Sequence, residues 1–265
     1  MRTITKITPQ KKNRNRLNVF LDGSYAFSVS DETYVEFHLY KGKQISDKEL
    51  DDILEVEKQH SAYALALRYL SYRMRTEKEV RQYLVEKEIE PFYIDRAIAR
   101  LQEEKLLDDR LFAEAFVRDR IHRSTKGPQL IFQELKEKGV GEETIHQALS
   151  LYTREKQVEL AYKQAEKTWK KGSRYPFQKR LERVKNALIR KGFSSSLAQE
   201  VVGLLPTRKD DEEEWYLLKK EGDKLYNRYQ KKYVDSFELR MRVKQSLYRK
   251  GFSLEQIDRY LDSLE

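Results

Sequence analysis

The residues whose types could carry chemistry are few and poorly spaced for it. Two carboxylate pairs, Asp51-Asp52 and Asp108-Asp109, are sequence neighbours. Adjacent side chains on a helix diverge, so neither pair can hold a metal or share a proton without partners from elsewhere, and helix capping accounts for both. The four histidines, His38, His60, His122 and His146, show no His-Glu-x-x-His or His-x-His spacing. Gly139-Val140-Gly141 resembles a fragment of a phosphate loop, but it follows helical sequence and lacks the later Gly or Gly-Lys-Ser/Thr. There is no Gly-x-Ser-x-Gly elbow. The 265 residues include no cysteine, which excludes a thiol nucleophile, a thiolate zinc site, an iron–sulfur cluster and a disulfide framework. The sequence therefore points to no enzyme, no metal and no cofactor.

Basic and aromatic residues remain. Arg68, Arg73 and Arg75 surround Tyr69 and Tyr72; Arg118, Arg120, Arg123 and Lys126 gather at the end of one helical stretch; Lys170, Lys171, Arg174, Lys179 and Arg180 flank Trp169 and Tyr175. Interleaved cations and aromatics suit a surface that tracks phosphates or stacks on bases. A single such cluster is equally a solvated helix face, its basic end favoured by the helix dipole; recurrence in several places favours a binding face. A separate excess sits at the start. Residues 1–16 hold Arg2, Lys6, Lys11, Lys12, Arg14 and Arg16 and no acid, so of the net charge of +9 only +3 is left for the rest of the chain. Within that arm Lys11, Lys12, Arg14 and Arg16 are the candidate phosphate contacts.

The elements that must position these side chains are thin ones. With 39% hydrophobic and 37% charged residues and a mean hydropathy of −0.84, the chain can bury apolar stripes but hardly one large core. Only 10 Gly and 5 Pro argue against barrels and sandwiches, which need many tight turns. No apolar run approaches the length of a membrane span, and the basic N-terminus lacks the apolar stretch of an export signal, so the expectation is a cytoplasmic chain without membrane contact. The β-rich segments Leu17 to Leu21 and Ser24 to Val29 flank Asp22-Gly23, which predicts a hairpin with a type I′ turn. Ile4 to Ile7 and Val35 to Tyr40 are expected to add short strands, since a lone hairpin is marginal in water. From Asp47 onward the apolar residues recur at helical spacing.

That helical portion is internally repeated. Lys138-Gly139-Val140, Lys191-Gly192-Phe193 and Lys250-Gly251-Phe252 align, with a weaker copy at Lys87-Glu88-Ile89. Nine residues before the hydrophobic of each triplet stand Val80, Ile131, Val184 and Val243, and five before it Leu84, Leu135, Leu188 and Leu247. Five, nine and twelve residues after it come Ile94, Ile98 and Leu101; Ile145, Leu149 and Tyr152; Ala198, Val202 and Leu205; Ile257, Leu261 and Leu264. The pattern predicts a helix, a left-handed cap and a second helix, each pair preceded by a longer helix at roughly 60–73, 109–123, 154–171 and 211–230. Thr76 with Glu79 and Ser253 with Gln256 make capping boxes, Ser194 to Ser196 offers a further cap, and Pro91, Pro128 and Pro176 suit first turns. The acid run Asp210 to Glu214 suits a helix N-terminus. The expected fold is mainly α: about four tandem three-helix repeats in an elongated, curved array, with a small N-terminal antiparallel hairpin or sheet. Its divisions fall at 1–58, 59–107, 108–152, 153–206 and 207–265, and no heptad seam suggests more than a monomer.

The stretch from Ala64 to Arg120 resembles the bacterial RecX regulators of the RecA recombinase. Ala64-Leu65-Ala66-Leu67-Arg68-Tyr69-Leu70-Ser71, Arg75-Thr76-Glu77-Lys78-Glu79-Val80 and above all Leu106-Leu107-Asp108-Asp109-Arg110-Leu111-Phe112-Ala113 carry the likeness. It covers about residues 60–205, while the hairpin arm and fourth unit are similar to the longer Gram-positive form; Glu88, where the other units have Gly, departs from the pattern. The resemblance implies a protein that lies in the groove of RecA–DNA filaments and limits strand exchange, ATPase and co-protease activity in DNA repair, recombination and the SOS response. It also implies contact with DNA, single- or double-stranded. The alternative is a sequence-tolerant DNA-binding protein that uses helix-turn-helix-like modules with the basic arm in a groove.

Overall fold

A computed structural model describes residues 1–10, 16–205, 210–233 and 235–264. Lys11, Lys12 and Arg14 lie outside the described residues. Four strands come first: β1 (Arg2–Pro9), β2 (Arg16–Leu21), β3 (Ser24–Ser30) and, after a short helix α1 (Asp31–Glu36), β4 (Gln44–Ile45). They form one antiparallel sheet in the order β3-β2-β1-β4. Asp22 and Gly23, with φ of 48° and 89°, close the β2–β3 hairpin in the doubly left-handed geometry of a type I′ turn. The strand expected at Val35 to Tyr40 is not formed. Ser30 accepts the Thr33 N–H, Asp31 and Glu32 occupy the first turn, and these start signals make α1 instead of a strand.

Twelve further helices follow among the described residues, in four groups of three. They are α2 (Asp47–Leu70), α3 (Glu77–Glu86) and α4 (Pro91–Glu103); α5 (Asp109–Arg123), α6 (Pro128–Glu137) and α7 (Glu142–Leu149); α8 (Arg154–Lys171), α9 (Phe177–Arg190) and α10 (Ser195–Leu204); α11 (Asp211–Tyr229), α12 (Ser236–Lys250) and α13 (Leu254–Asp262). The chain divides into two compact units, Met1–Glu114 with Leu135–Ile145 and Ala115–Glu134 with His146–Glu265.

In the first unit, helix α2 belongs to two cores. Its Ile53 closes the sheet core of Ile4, Val19, Leu21, Phe27, Val29, Leu39 and Ile45. Its Ala62, Tyr63 and Ala66 pack with Val80, Leu84, Ile94, Ile98 and Leu101 of the first module. The joint between the two is Glu57, only 6% exposed. One carboxylate oxygen accepts the Ser30 N–H (2.7 Å), the Ser30 hydroxyl (3.0 Å) and the Thr33 hydroxyl (2.8 Å), while the other accepts the Ser61 hydroxyl (2.8 Å) and pairs with Arg16 (2.9 Å). A buried carboxylate is tolerated only when its oxygens are fully satisfied in this way.

The repeat offsets are the core. Val80, Ile131, Val184, Val243 and the four leucines five residues before each triplet's hydrophobic are all 0% exposed. Ile89 and Leu149, which are partly buried, and Leu264, which is exposed, are the exceptions. Each triplet closes the same Schellman motif. The N–H groups of Ile89, Val140, Phe193 and Phe252 reach the carbonyls of Leu84, Leu135, Leu188 and Leu247 at 3.1–3.3 Å, and the residue before each bonds three residues back. Gly139, Gly192 and Gly251 stand at φ of 87°, 87° and 99°; Glu88 adopts 58° without being glycine.

The three glycine turns do a second job, which sequence periodicity does not show: each seats on the N-terminus of the middle helix of the preceding module. Within the first unit, the Thr76 hydroxyl donates to the Lys138 carbonyl (2.7 Å), and the Lys78 ammonium donates to the Glu137 carbonyl (2.9 Å). A Cβ on Gly139 would lie 2.6 Å from the Lys78 Cβ. Within the second unit, the N–H groups of Gly127 and Gln129 donate to the carbonyls of Lys191 (2.7 Å) and Gly192 (3.1 Å), and a Cβ on Gly192 would lie 2.6 Å from the Leu130 nitrogen. At the next junction the corresponding Gly251 distance, to the Lys179 Cβ, is 3.0 Å. Glu88 is exposed.

Two groups of variants test this packing by urea or thermal unfolding. Leu135→Ala and Leu188→Ala each lower stability by about 2–5 kcal/mol, and unchanged melting refutes their place in the core. Gly192→Ala is destabilising because its methyl meets backbone. Glu88→Gly raises stability by up to about 1 kcal/mol because it relieves a left-handed conformation and displaces nothing.

Candidate interaction surface

The carboxylate pair in Leu106-Leu107-Asp108-Asp109 is a junction, not a reaction centre. Asp108 accepts the N–H groups of Arg110 (2.8 Å) and Leu111 (3.0 Å), capping its own helix. Asp109 faces away and accepts the Glu77 N–H (2.9 Å) at the first turn of α3. Leu107, Phe112 and Ala113 of the same octapeptide are buried. The arrangement recurs in the second unit, where Glu214 in the first turn of α11 accepts the Phe177 N–H (2.9 Å) at the start of α9. At α6 the corresponding first position is Pro128, which has no N–H to satisfy. Among the described residues no three His, Asp or Glu side chains gather in a way that could hold a metal ion.

The basic clusters divide into cations already engaged and cations facing solvent. Arg73 bonds both oxygens of Glu79 (3.2 and 3.3 Å), and Glu79 also receives the Lys138 ammonium (2.9 Å). Arg75 lies 3.7 Å from the centre of the Tyr69 ring, which stacks at 3.9 Å on Tyr83. Arg120 bonds Glu134 (2.8 Å) and covers the Phe116 ring at 4.2 Å, while Lys126 pairs with the other oxygen of Glu134. Arg180 covers Trp169 at 3.8 Å and donates to its carbonyl (2.9 Å); burial holds its pKa below the usual arginine value. Lys179 pairs with Glu182 (2.6 Å), and Arg16 is spent on Glu57. Apart from Lys179, whose pair lies on its own helix, these side chains join elements to one another or cover aromatics.

Arg68, Lys170, Lys171 and Arg174 are exposed and have no ion-pair partner among the described residues. Arg123 is 82% exposed and touches only Asp119 of its own helix (3.0 Å). Arg118 is exposed and also interacts within the protein. The structure adds Arg183, which lies 4.1 Å from the centre of the Tyr175 ring and is exposed. It lies three residues beyond Arg180 on α9, just past the cluster read from the sequence.

Two compact helical units led by a four-stranded sheet, with modules of three helices and charged faces, define a class of modular helical proteins. The comparisons give that class its name. The model of the regulatory protein RecX N-terminal domain matches residues 2–46, and those of the RecX first and second three-helix domains match 62–101 and 108–149. The third three-helix model matches twice, at 155–202 and 211–261. Regulatory protein RecX of Oceanobacillus iheyensis is 42% identical over 267 residues, covering 99% of this chain and 98% of its own. That of Bacillus subtilis is 39% identical over 262 residues, covering 99% and 98%. A crystal structure of regulatory protein RecX superposes with a TM-score of 0.68 at 37% identity, over 76% of this chain and 98% of that one. The structure of RecX from Lactobacillus salivarius gives 0.55 at 34% identity, over 57% and 97%. The chain belongs to the RecX family of regulatory proteins. The double match of the third model has a structural counterpart: α9 and α12 have 14 and 15 residues, against 10 each in α3 and α6.

The Glu79 carboxyl makes the first junction pH-dependent. Burial pulls its pKa upward, but hydrogen bonds from Arg73, Lys138 and the Thr76 N–H prevail and hold it at about 2, below the ordinary 4.5. A depressed carboxyl pKa contributes stability that is present above 4.5 and is lost as pH falls from there toward 2. The difference in melting temperature between wild type and Glu79→Gln therefore shrinks between pH 6 and pH 3. A constant difference removes Glu79 from the junction. Asp109 behaves oppositely, since burial and then the neighbouring carboxylates push its pKa up against the Glu77 N–H bond. Asp109→Asn keeps an acceptor and loses the charge, so it retains stability at pH 7, whereas Asp109→Ala and Asp108→Ala each lose about 1 kcal/mol. Equal losses in Asn and Ala at position 109 contradict this account.

Proposed function

We propose that this chain is a modulator of RecA recombinase filaments. It lies in the groove of the RecA–DNA filament and limits strand exchange, ATPase and co-protease activity. It acts by occupancy, as a monomer in the cytoplasm, and catalyses no reaction. The observation that carries the reading is the succession of RecX domain matches from residue 2 to residue 261.

The physical support is in the modules. Each repeats the same core offsets, and the first three seat the following module's turn on the start of their middle helix, so similar surfaces recur along the chain. Sites that are individually weak add through effective concentration when the partner also repeats, as a filament does. The engaged cations fix the modules; Arg68, Arg123, Lys170, Lys171 and Arg174 are the exposed ones available for contact. No helix is long and apolar enough to cross a membrane among the described residues.

Adding the purified chain to RecA on single-stranded DNA and following ATP hydrolysis tests the reading. The expected result is a falling rate as the protein approaches saturation, with strand exchange falling in parallel. An unchanged rate together with an unchanged filament lifetime overturns it.

A further inference from the structure

The charge of the helical portion is concentrated in one place. Residues 167–185 contain eight basic side chains and one acid, a local charge of +7, so the chain outside this stretch and outside residues 1–16 sums to −4. The stretch spans the end of α8, the α8–α9 connection and the first half of α9. Helix-dipole stabilisation accounts for Lys170 and Lys171 in the last turn of α8, but not for Arg174 in the connection or Arg183 within α9.

One of its cations is committed inward, and a second is paired on the surface. Arg180 is folded over Trp169, beside a small recess that Asp210 and Glu213 help to line, and Lys179 is paired with Glu182. Lys170, Lys171, Arg174 and Arg183 are exposed, and none has a carboxylate within ion-pair distance among the described residues. Tyr175 gathers the two arginines, their guanidinium carbons lying 5.2 Å (Arg174) and 4.1 Å (Arg183) from its ring centre. A guanidinium held over a ring loses little freedom on binding and keeps its N–H edge for a planar, bidentate acceptor.

We propose that Lys170, Lys171, Arg174 and Arg183, gathered around Tyr175, form a binding site for the phosphate backbone of nucleic acid. Between residues 152 and 188 no large hydrophobic side chain is exposed, so the patch lacks the apolar anchor on which a protein partner's binding energy usually rests. With both arginines over its ring, Tyr175 presents guanidinium edges in place of a stacking face. The site reads phosphates and not bases, and it binds without regard to sequence. It is independent of the filament reading, since it requires only DNA.

The test uses the full chain without recombinase, by fluorescence anisotropy on a labelled single strand and on a duplex of the same sequence. If four phosphates are neutralised, replacing all four residues by Gln reduces the slope of log affinity against log salt by about 3.6 on the duplex and about 2.8 on the single strand. At a fixed 100 mM salt the fourfold variant binds about tenfold or more weakly. Lys170→Gln/Lys171→Gln, which alters no internal bond, gives about half of the fourfold variant's reduction in slope and keeps the melting temperature of wild type. Lys156→Gln/Lys163→Gln, at carboxylate-paired positions, leaves binding unchanged. The proposal is overturned if the wild-type chain binds neither strand form, or if the slope survives the fourfold substitution. It is equally overturned if the paired-lysine control loses as much.

Discussion

Everything downstream of the sheet depends on one contact, a left-handed turn pressed against the exposed end of a helix in the module before it. The N-terminus of a helix leaves N–H groups without partners, and the C-terminus of another leaves carbonyls. Here each is brought toward the other. The Lys191 and Gly192 carbonyls take the N–H groups of Gly127 and Gln129, while the Lys138 carbonyl takes the Thr76 hydroxyl. The approach is so close that a single methyl on Gly139 or Gly192 would collide with a neighbour. A module thus settles its own hydrogen bonds only by docking on another, which is why a composition too poor in apolar residues for one large core still makes a folded chain.

The same constraint explains the fate of the charges. Side chains at the junctions are obliged to complete each other: Glu79 binds Arg73 and Lys138, Asp109 takes the Glu77 N–H, Glu214 that of Phe177. Cations near these places are structural even where they interleave with aromatics, because a guanidinium over a ring shields apolar surface as well as it could bind a phosphate. The surface left for partners is accordingly smaller than the charge count suggests, and it is uneven.

Much of this was legible in residue spacing. The leucines at 84, 135, 188 and 247, the αL positions, the Thr76–Glu79 capping box and the Asp22-Gly23 turn are local features, and local rules located them. What escaped is non-local. The division of Arg73, Arg75, Arg120, Lys126, Arg180 and Arg16 from the exposed cations depends on carboxylates and rings from other elements. Arg183 is joined to Arg174 only through the Tyr175 ring that both approach. The continuity of α2 from the sheet into the first module rests on Glu57, a residue whose sequence neighbourhood looks like an ordinary solvated helix. The strand expected at Val35 to Tyr40 failed for the opposite reason: a short-range cap at Ser30 prevailed over apolar and aromatic composition.

Glu88 gives the series a direction. The glycine turns are occupied by the module that precedes them, Gly139 and Gly251 by a lysine side chain and Gly192 by backbone; at Glu88 the turn is open and a long side chain fits. A further module inserted ahead of α2 would meet that side chain and would require its replacement by glycine. At the other end of the series no turn covers the start of α12 among the described residues, and Phe237 is exposed there. The series is therefore asymmetric: its first turn carries a glutamate that no module covers, while modules three and four, both matched by a single domain model, share the longer middle helix.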